Sequence, residues 1–167
     1  MLEPIRFSDA YTVKRITDND IPQVVELCSK NTEFYKHCPP FVTEKTVKED
    51  MKALPDRKTM EDKYYVGFYD HKDLIAVMDL IDAFPDKETV FIGFFMTAVS
   101  TQGRGVGTGI VEELCRHFRS LGYLHIRLGW VKGNPQSEGF WHKNGFRETG
   151  VTYDTCGYTV IVAQRDL

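Results

Sequence analysis

Apolar positions along this chain recur at two spacings, alternate residues in some stretches and every third or fourth in others, and the switches between them lay out strands and helices. Tyr11 to Ile16 reads as a first strand, and the acids and amide of the following TDND can cap a helix that Pro22 helps to start. Val24, Val25, Leu27 and Cys28 give that helix an apolar face. NTEFYKHCPPF, residues 31–41, reads as a loop because its paired prolines deny helix hydrogen bonds. Thr46 and Glu49 have capping-box spacing, with Val47, Met51 and Leu54 on the apolar side of a second helix.

Tyr64 to Tyr69 and Leu74 to Ile81 are rich in β-branched and aromatic residues around the polar turn DHKD, the signature of a hairpin. Val90 to Met96 returns as the next strand, and its nearly all-apolar run FIGFFM suits a central strand covered on both faces. A long helix follows QGRGVGTG, with Val106, Ile110, Leu114, Phe118 and Leu121 on one face, and Gly122 ends it. His125 to Val131 is a strand with Ile126, Leu128 and Trp130 on one side; a short helix spans about Pro135 to Asn144, and Val151 to Asp154 with Tyr158 to Ala163 close the chain as a hairpin. The order predicts an α/β (α+β) chain in one domain, residues 1–167, with a mixed, largely antiparallel sheet of six or seven strands and about four flanking helices.

Composition narrows the function. With 21 Lys and Arg against 24 Asp and Glu, the net charge of -3 offers no basic surface for nucleic acid or an anionic membrane. No apolar run has the length of a signal peptide or a membrane span, so the expectation is a soluble, cytoplasmic protein. Cys28, Cys38, Cys115 and Cys156 show no metal-ligand cadence and read as free thiols, and the five histidines form no close pair, so no metal is expected.

The chemistry concentrates in Gly103, Gly105, Gly107 and Gly109, which alternate where the central strand turns into the long helix. Each glycine in a helical turn costs about 0.5 to 1 kcal/mol relative to alanine, so the set needs a reason. An anion supplies one, because unpaired N–H groups of the first helical turn point outward and a missing Cβ lets phosphate oxygens reach them. Arg104, inside the loop, adds a charge. A tight strand-to-helix crossing is the plainer alternative for the same glycines. No GK[ST] follows the loop and the GxGxxG register fails at Thr108 and Ile110, so neither ATP nor NAD is supported.

Gln102, Gly105 and Gly107, with Gly103 and Arg104 between them, resemble the acetyl-CoA signature of the GCN5-related N-acetyltransferase superfamily. NPQSEGFWHKNGF is similar to a second signature of that superfamily, matching at Asn134, Phe140, Lys143, Gly145 and Phe146, with Ser137 for the usual alanine and Trp141 for the usual tyrosine. The resemblance implies the acyl-CoA N-acyltransferase fold and acetyl-CoA as cosubstrate, with direct transfer to an amine of a small molecule or peptide in a ternary complex. It implies that the backbone of Gln102, Gly103, Arg104, Gly105, Val106, Gly107 and Thr108 holds the pyrophosphate and that Phe95, Met96 and Thr97 pair with pantetheine at a splay between their strand and the next. Asn134 and Trp141 would flank the cofactor arm.

Direct transfer needs a neutral amine, a positioned thioester and no enzyme nucleophile. Asp79 and Asp82 are candidates to take the amine proton, although each also suits a turn or a sheet edge; Glu33 and His37 are weaker choices. The family tyrosine can protonate the departing thiolate, which an indole cannot, so Tyr158, another hydroxyl or water is left for that role. A domain that binds acyl-CoA without turnover is the alternative. Either a monomer or a homodimer is compatible with an exposed closing strand.

Overall fold

The computed structural model describes residues 2–155 and 157–167; the expectation for Cys156 lies outside them. The strands are β1 (Thr12–Arg15), β2 (Lys63–Asp70), β3 (Asp73–Ile81), β4 (Thr89–Thr97), β5 (His125–Val131), β6 (Arg147–Asp154) and β7 (Thr159–Asp166). They form one seven-stranded sheet in the order β1-β2-β3-β4-β5-β7-β6, antiparallel except where β4 runs parallel to β5. The mixed, largely antiparallel sheet and the central place of FIGFFM are as the sequence predicts.

Among the described residues five α-helices flank the sheet, one more than expected: α1 (Ile21–Ser29), α2 (Thr32–His37), α3 (Glu44–Asp50), α4 (Val106–Ser120) and α5 (Pro135–Lys143). The segment read as a loop contains α2, which ends before Pro39 and Pro40; the prolines stop this helix without preventing it. The capping box of α3 also lies earlier than predicted. Thr43 and Thr46 satisfy each other's backbone N–H with their hydroxyls at 3.1 and 2.9 Å, in place of Thr46 and Glu49.

Period-two alternation sends the strand side chains into two cores. Tyr64, Val66 and Phe68 join Ile110, Leu114, Phe118 and Trp141 beneath α4 and α5, whereas Tyr65, Tyr69 and Val77 meet Ile21, Val24, Cys28 and Val47 beneath α1 and α3. Leu121 departs from the expected face: it lies past the end of α4 and is 51% exposed. Gly122 closes that helix with φ of 90°.

One irregularity shapes the sheet centre. Asp79 faces Phe94 and Leu80 faces Ile92, leaving Gly93 as an extra residue in β4. An inserted residue reverses which face every later side chain takes. Val90 and Ile92 accordingly belong to the core beneath α4 and α5, while Phe94 and Met96 pack on the opposite one. At the same point β4 and β5 part. Their pairing ends at Ile92 with Leu128, so β4 from Gly93 to Thr97 has no strand neighbour on that side, and β5 continues against β7 alone.

Candidate active site

The parted strands open a gap at the centre of the sheet, and the start of α4 stands at one end of it. Gly103 and Gly105 have φ of 70° and 81°, the left-handed region in which a Cβ is costly, and nothing lies within 4 Å of where either Cβ would be. The first hydrogen bond of α4 runs from Gly109 N–H to the Gly105 carbonyl at 2.8 Å. None of the N–H groups of Gly103 through Thr108 donates to another described residue. A row of free donors at the positive end of a fifteen-residue helix is suited to a pyrophosphate.

The four glycines do not share one reason. A Cβ on Gly107 would stand 3.1 Å from Phe140 Cε2 and 3.4 Å from Thr97 Cγ2, so this glycine admits a ring from α5 as the plainer packing account proposed. Gly109 meets nothing within 4 Å.

A cleft of about 270 Å³ runs along these elements. Phe95, Met96 and Thr97 form its strand side, and Gln102, Gly103, Gly105, Val106, Gly107 and Thr108 its loop side, with Trp141 against it from α5. Arg104 is exposed and not among the lining residues. Gln102 turns its side chain inward: its Nε2 donates to Asn31 Oδ1 at 2.7 Å and to the Thr97 carbonyl at 3.3 Å, and Asn31 Nδ2 donates to the same carbonyl at 3.2 Å. Asn31 thus braces the end of β4, a role with no sequence signal beyond an amide after a helix.

A second cavity, of about 510 Å³, lies on the α2 and α3 side of the gap. Asp79 and Tyr158 line it, as does Asn134, whose Oδ1 also caps α5 by accepting from Ser137 N–H at 3.2 Å. Glu49 and Asp50 add two more carboxylates, and no Lys, Arg or His is on the described lining. Phe34, Phe95, Ser137 and Trp141 line both cavities, so they mark where the two meet. Asp82 is elsewhere: it accepts a hydrogen bond from the Tyr123 hydroxyl and lines neither space. Glu33, paired with Lys36 at 2.5 Å, and His37 also lie outside both.

Asp79 is held in an unusual way. Its Oδ2 accepts from Lys63 Nζ at 2.7 Å, and that lysine side chain is only 1% exposed. Its Oδ1 is buried and has no hydrogen-bond partner among the described residues. Burial pushes the Asp79 carboxyl above its ordinary value, and the Lys63 ammonium pulls it partly back. Enclosure likewise raises Asp50, again opposed by Lys63. Lys63 was open to sequence reasoning, because a lysine sharing the period-two face of Tyr65 and Tyr69 needs a buried counter-charge.

The thiols do not compete as nucleophiles. Burial lifts Cys28 to about 12 and Cys115 to about 11, and it raises Cys38 as well, so all three are thiols at neutral pH. Cys38 Sγ donates to the Tyr158 hydroxyl at 3.7 Å; that contact and burial raise Tyr158 and make it a poorer acid. Outside the cavities, Glu138, His142 and Glu148 bring potential ligand atoms within 4.8 Å of one another on the surface of α5 and β6. Among the described residues no helix is long and apolar enough to cross a membrane.

Residues 27–146 match the family model described as Acetyltransferase (GNAT) family. The chain belongs to that family. No curated protein sequence matches it. Its fold recurs in an acetyltransferase from Thermus thermophilus, at 18% identity and a TM-score of 0.73 over 95% of this chain and 97% of the other. A GCN5-related N-acetyltransferase from Kribbella flavida superposes at 0.65, with 20% identity over 95% and 99%. PaiA N-acetyltransferase from Thermoplasma acidophilum, in complex with coenzyme A, superposes at 0.63, with 15% identity over 94% and 99%. The mixed sheet with one parted pair of strands is therefore the GNAT fold.

Proposed function

We propose that this GNAT chain transfers the acetyl group of acetyl-CoA directly to a primary amine of a small cationic molecule, with Asp79 taking the amine proton. The observation that carries the reading is Asp79 on the wall of the larger cavity, with one carboxylate oxygen, Oδ1, buried and without a partner among the described residues. A buried acceptor without a donor costs about 1 to 3 kcal/mol, which an ammonium offsets once the carboxylate turns to meet it. Lys63 donates to Oδ2 and so holds the carboxylate at the cavity wall.

The donor side follows from backbone groups. The N–H row of Gly103 to Thr108 holds the pyrophosphate, and the unpaired edge of β4 from Gly93 to Thr97 receives the pantetheine arm. This leads the thioester to the wall shared by Phe34, Phe95, Ser137 and Trp141. There Asp79 takes one proton from the ammonium and the neutral amine attacks the carbonyl carbon; the C–N bond forms, the C–S bond breaks with its electron pair going to sulfur, and the second N–H proton passes through water to the thiolate in the complex of all three. Glu49, Asp50 and Asp79, set among aromatic side chains and countered by the buried Lys63, keep an acidic excess that favours an acceptor arriving charged.

The test is acceptor-dependent release of free thiol from acetyl-CoA, with phenethylamine and putrescine as acceptors. Binding of CoA in a calorimeter without any such release marks a sensor that has lost its chemistry and rejects the proposal.

A further inference from the structure

The two departures from the second signature, Ser137 and Trp141, lie four residues apart on α5 and so face the same way, one turn apart. Both reach the wall common to the two cavities. Trp141 is fixed there, 7% exposed, with ring centroids 5.9 Å from Phe95, 4.9 Å from Phe140 and 5.0 Å from Phe146. A ring packed on three sides contributes shape, and its indole gives up no proton near neutral pH. Of the remaining shared residues, Phe34 and Phe95 are hydrocarbon, which leaves Ser137 as the only side chain with a hydroxyl on the described wall between donor and acceptor.

Ser137 is also free to use it. Its backbone N–H is taken by Asn134 Oδ1 at 3.2 Å, which locks the first turn of α5, while its Oγ makes no hydrogen bond with any described residue. The hydroxyl stands in the first turn of a nine-residue helix, where the positive helix end favours a developing anion. Tyr158, the other hydroxyl considered for this task, lines only the acceptor cavity and is held by Cys38.

The geometry points to Ser137 as the catalytic hydrogen-bond donor to the departing coenzyme A sulfur, replacing the phenol that Trp141 displaces. The assignment rests on the acetyl-transfer reading above. As the C–S bond breaks, its electron pair goes to sulfur, and the thiolate accepts the Oγ–H hydrogen bond while the proton stays on Ser137. The first amine proton is on Asp79, and the second, lost as the C–N bond forms, reaches the released thiolate through water. A hydrogen bond to a charged acceptor of this kind is equivalent to about 10- to 100-fold in rate.

The experiment is single-turnover thiol release from acetyl-CoA with phenethylamine and putrescine, run on the wild type, Ser137→Ala, Ser137→Thr and Ser137→Ala/Trp141→Tyr, with calorimetric CoA affinity alongside. The expected result is a loss of about 10-fold or more in Ser137→Ala with unchanged CoA affinity, rescue in the conservative Ser137→Thr, and recovery in the double variant. An unchanged rate in Ser137→Ala, or a loss matched by weaker CoA binding, overturns the assignment. If the wild type itself releases no acceptor-dependent thiol, the acetyl-transfer reading fails and takes the assignment with it.

Discussion

The Asp79 carboxylate occupies the space that a side chain on Gly93 would need: a Cβ there would stand 2.7 Å from Asp79 Oδ2 and 3.4 Å from Cγ. Gly93 is at once the extra residue of β4, the first residue past the point where β4 and β5 part, and the floor under the proposed base. One bare backbone position thus opens the sheet for the cofactor arm and seats the carboxylate beside that opening.

Replacing Gly93 by alanine is therefore expected to push Asp79 off Lys63. Turnover should fall about tenfold or more through kcat, and stability should drop by about 1 to 3 kcal/mol from overpacking. Measured as a cycle, Gly93→Ala/Asp79→Asn should lose no more activity than Asp79→Asn alone. Additive losses would show that the glycine acts on something other than the carboxylate.

A base works only when ionised, so activity must disappear as pH falls through the Asp79 value. Burial raises that value, and the acid limb of kcat/KM should consequently lie above the ordinary 3.8 of an aspartic acid. Lys63 opposes the rise, so Lys63→Met should move the limb further up, toward neutral pH, while Asp79→Asn should remove it along with most of the rate. A limb that stays in place in Lys63→Met means that another group is titrating.

Much of this was legible in the chain, and the exceptions have physical reasons. The long α4 face and the alternation of β5 emerge because Ile110, Leu114, Phe118, Ile126, Leu128 and Trp130 are buried on single faces. The reversal at Gly93 was hidden by the same property that marked β4 as central: an apolar run reads alike on both faces, so a change of face leaves no trace in it. In α2, Pro39 and Pro40 were given too long a reach, since a proline restricts itself and the residue before it, while TEFYKH is free to coil. Asp82 looked equivalent to Asp79 because both sit near one strand end; Asp79 meets Lys63, and Asp82 meets Tyr123 instead.

Two glycines with the same strain separate binding from folding. Gly105 and Gly122, at opposite ends of α4, have φ of 81° and 90° and open space around them. Valine at either should cost about 1 to 2 kcal/mol because a β-branched residue resists that conformation. Only Gly105→Val should weaken CoA binding, by about tenfold or more, since it alone disturbs the free N–H row. Calorimetry with CoA and thermal melts on both variants make the comparison, and equal affinities in the two would dismiss the pyrophosphate cradle.

Glu49 and Asp50 should set how strongly a charged acceptor is drawn in. Both lie on the cavity wall beyond Asp79, and neither is needed for the proton transfer, so Glu49→Gln/Asp50→Asn should raise KM about 2- to 10-fold with kcat little changed. The rise should be larger for putrescine, with two charges, than for phenethylamine, with one. Salt screens the same attraction, so the wild-type KM for putrescine should climb with ionic strength while that of the double variant stays nearly flat. Enclosure keeps Asp50 above its ordinary value, and the wild-type advantage should therefore shrink as pH falls and that carboxylate takes up its proton. Equal salt dependence in the two proteins would place the attraction elsewhere on the surface and leave the cavity to select its amine by shape.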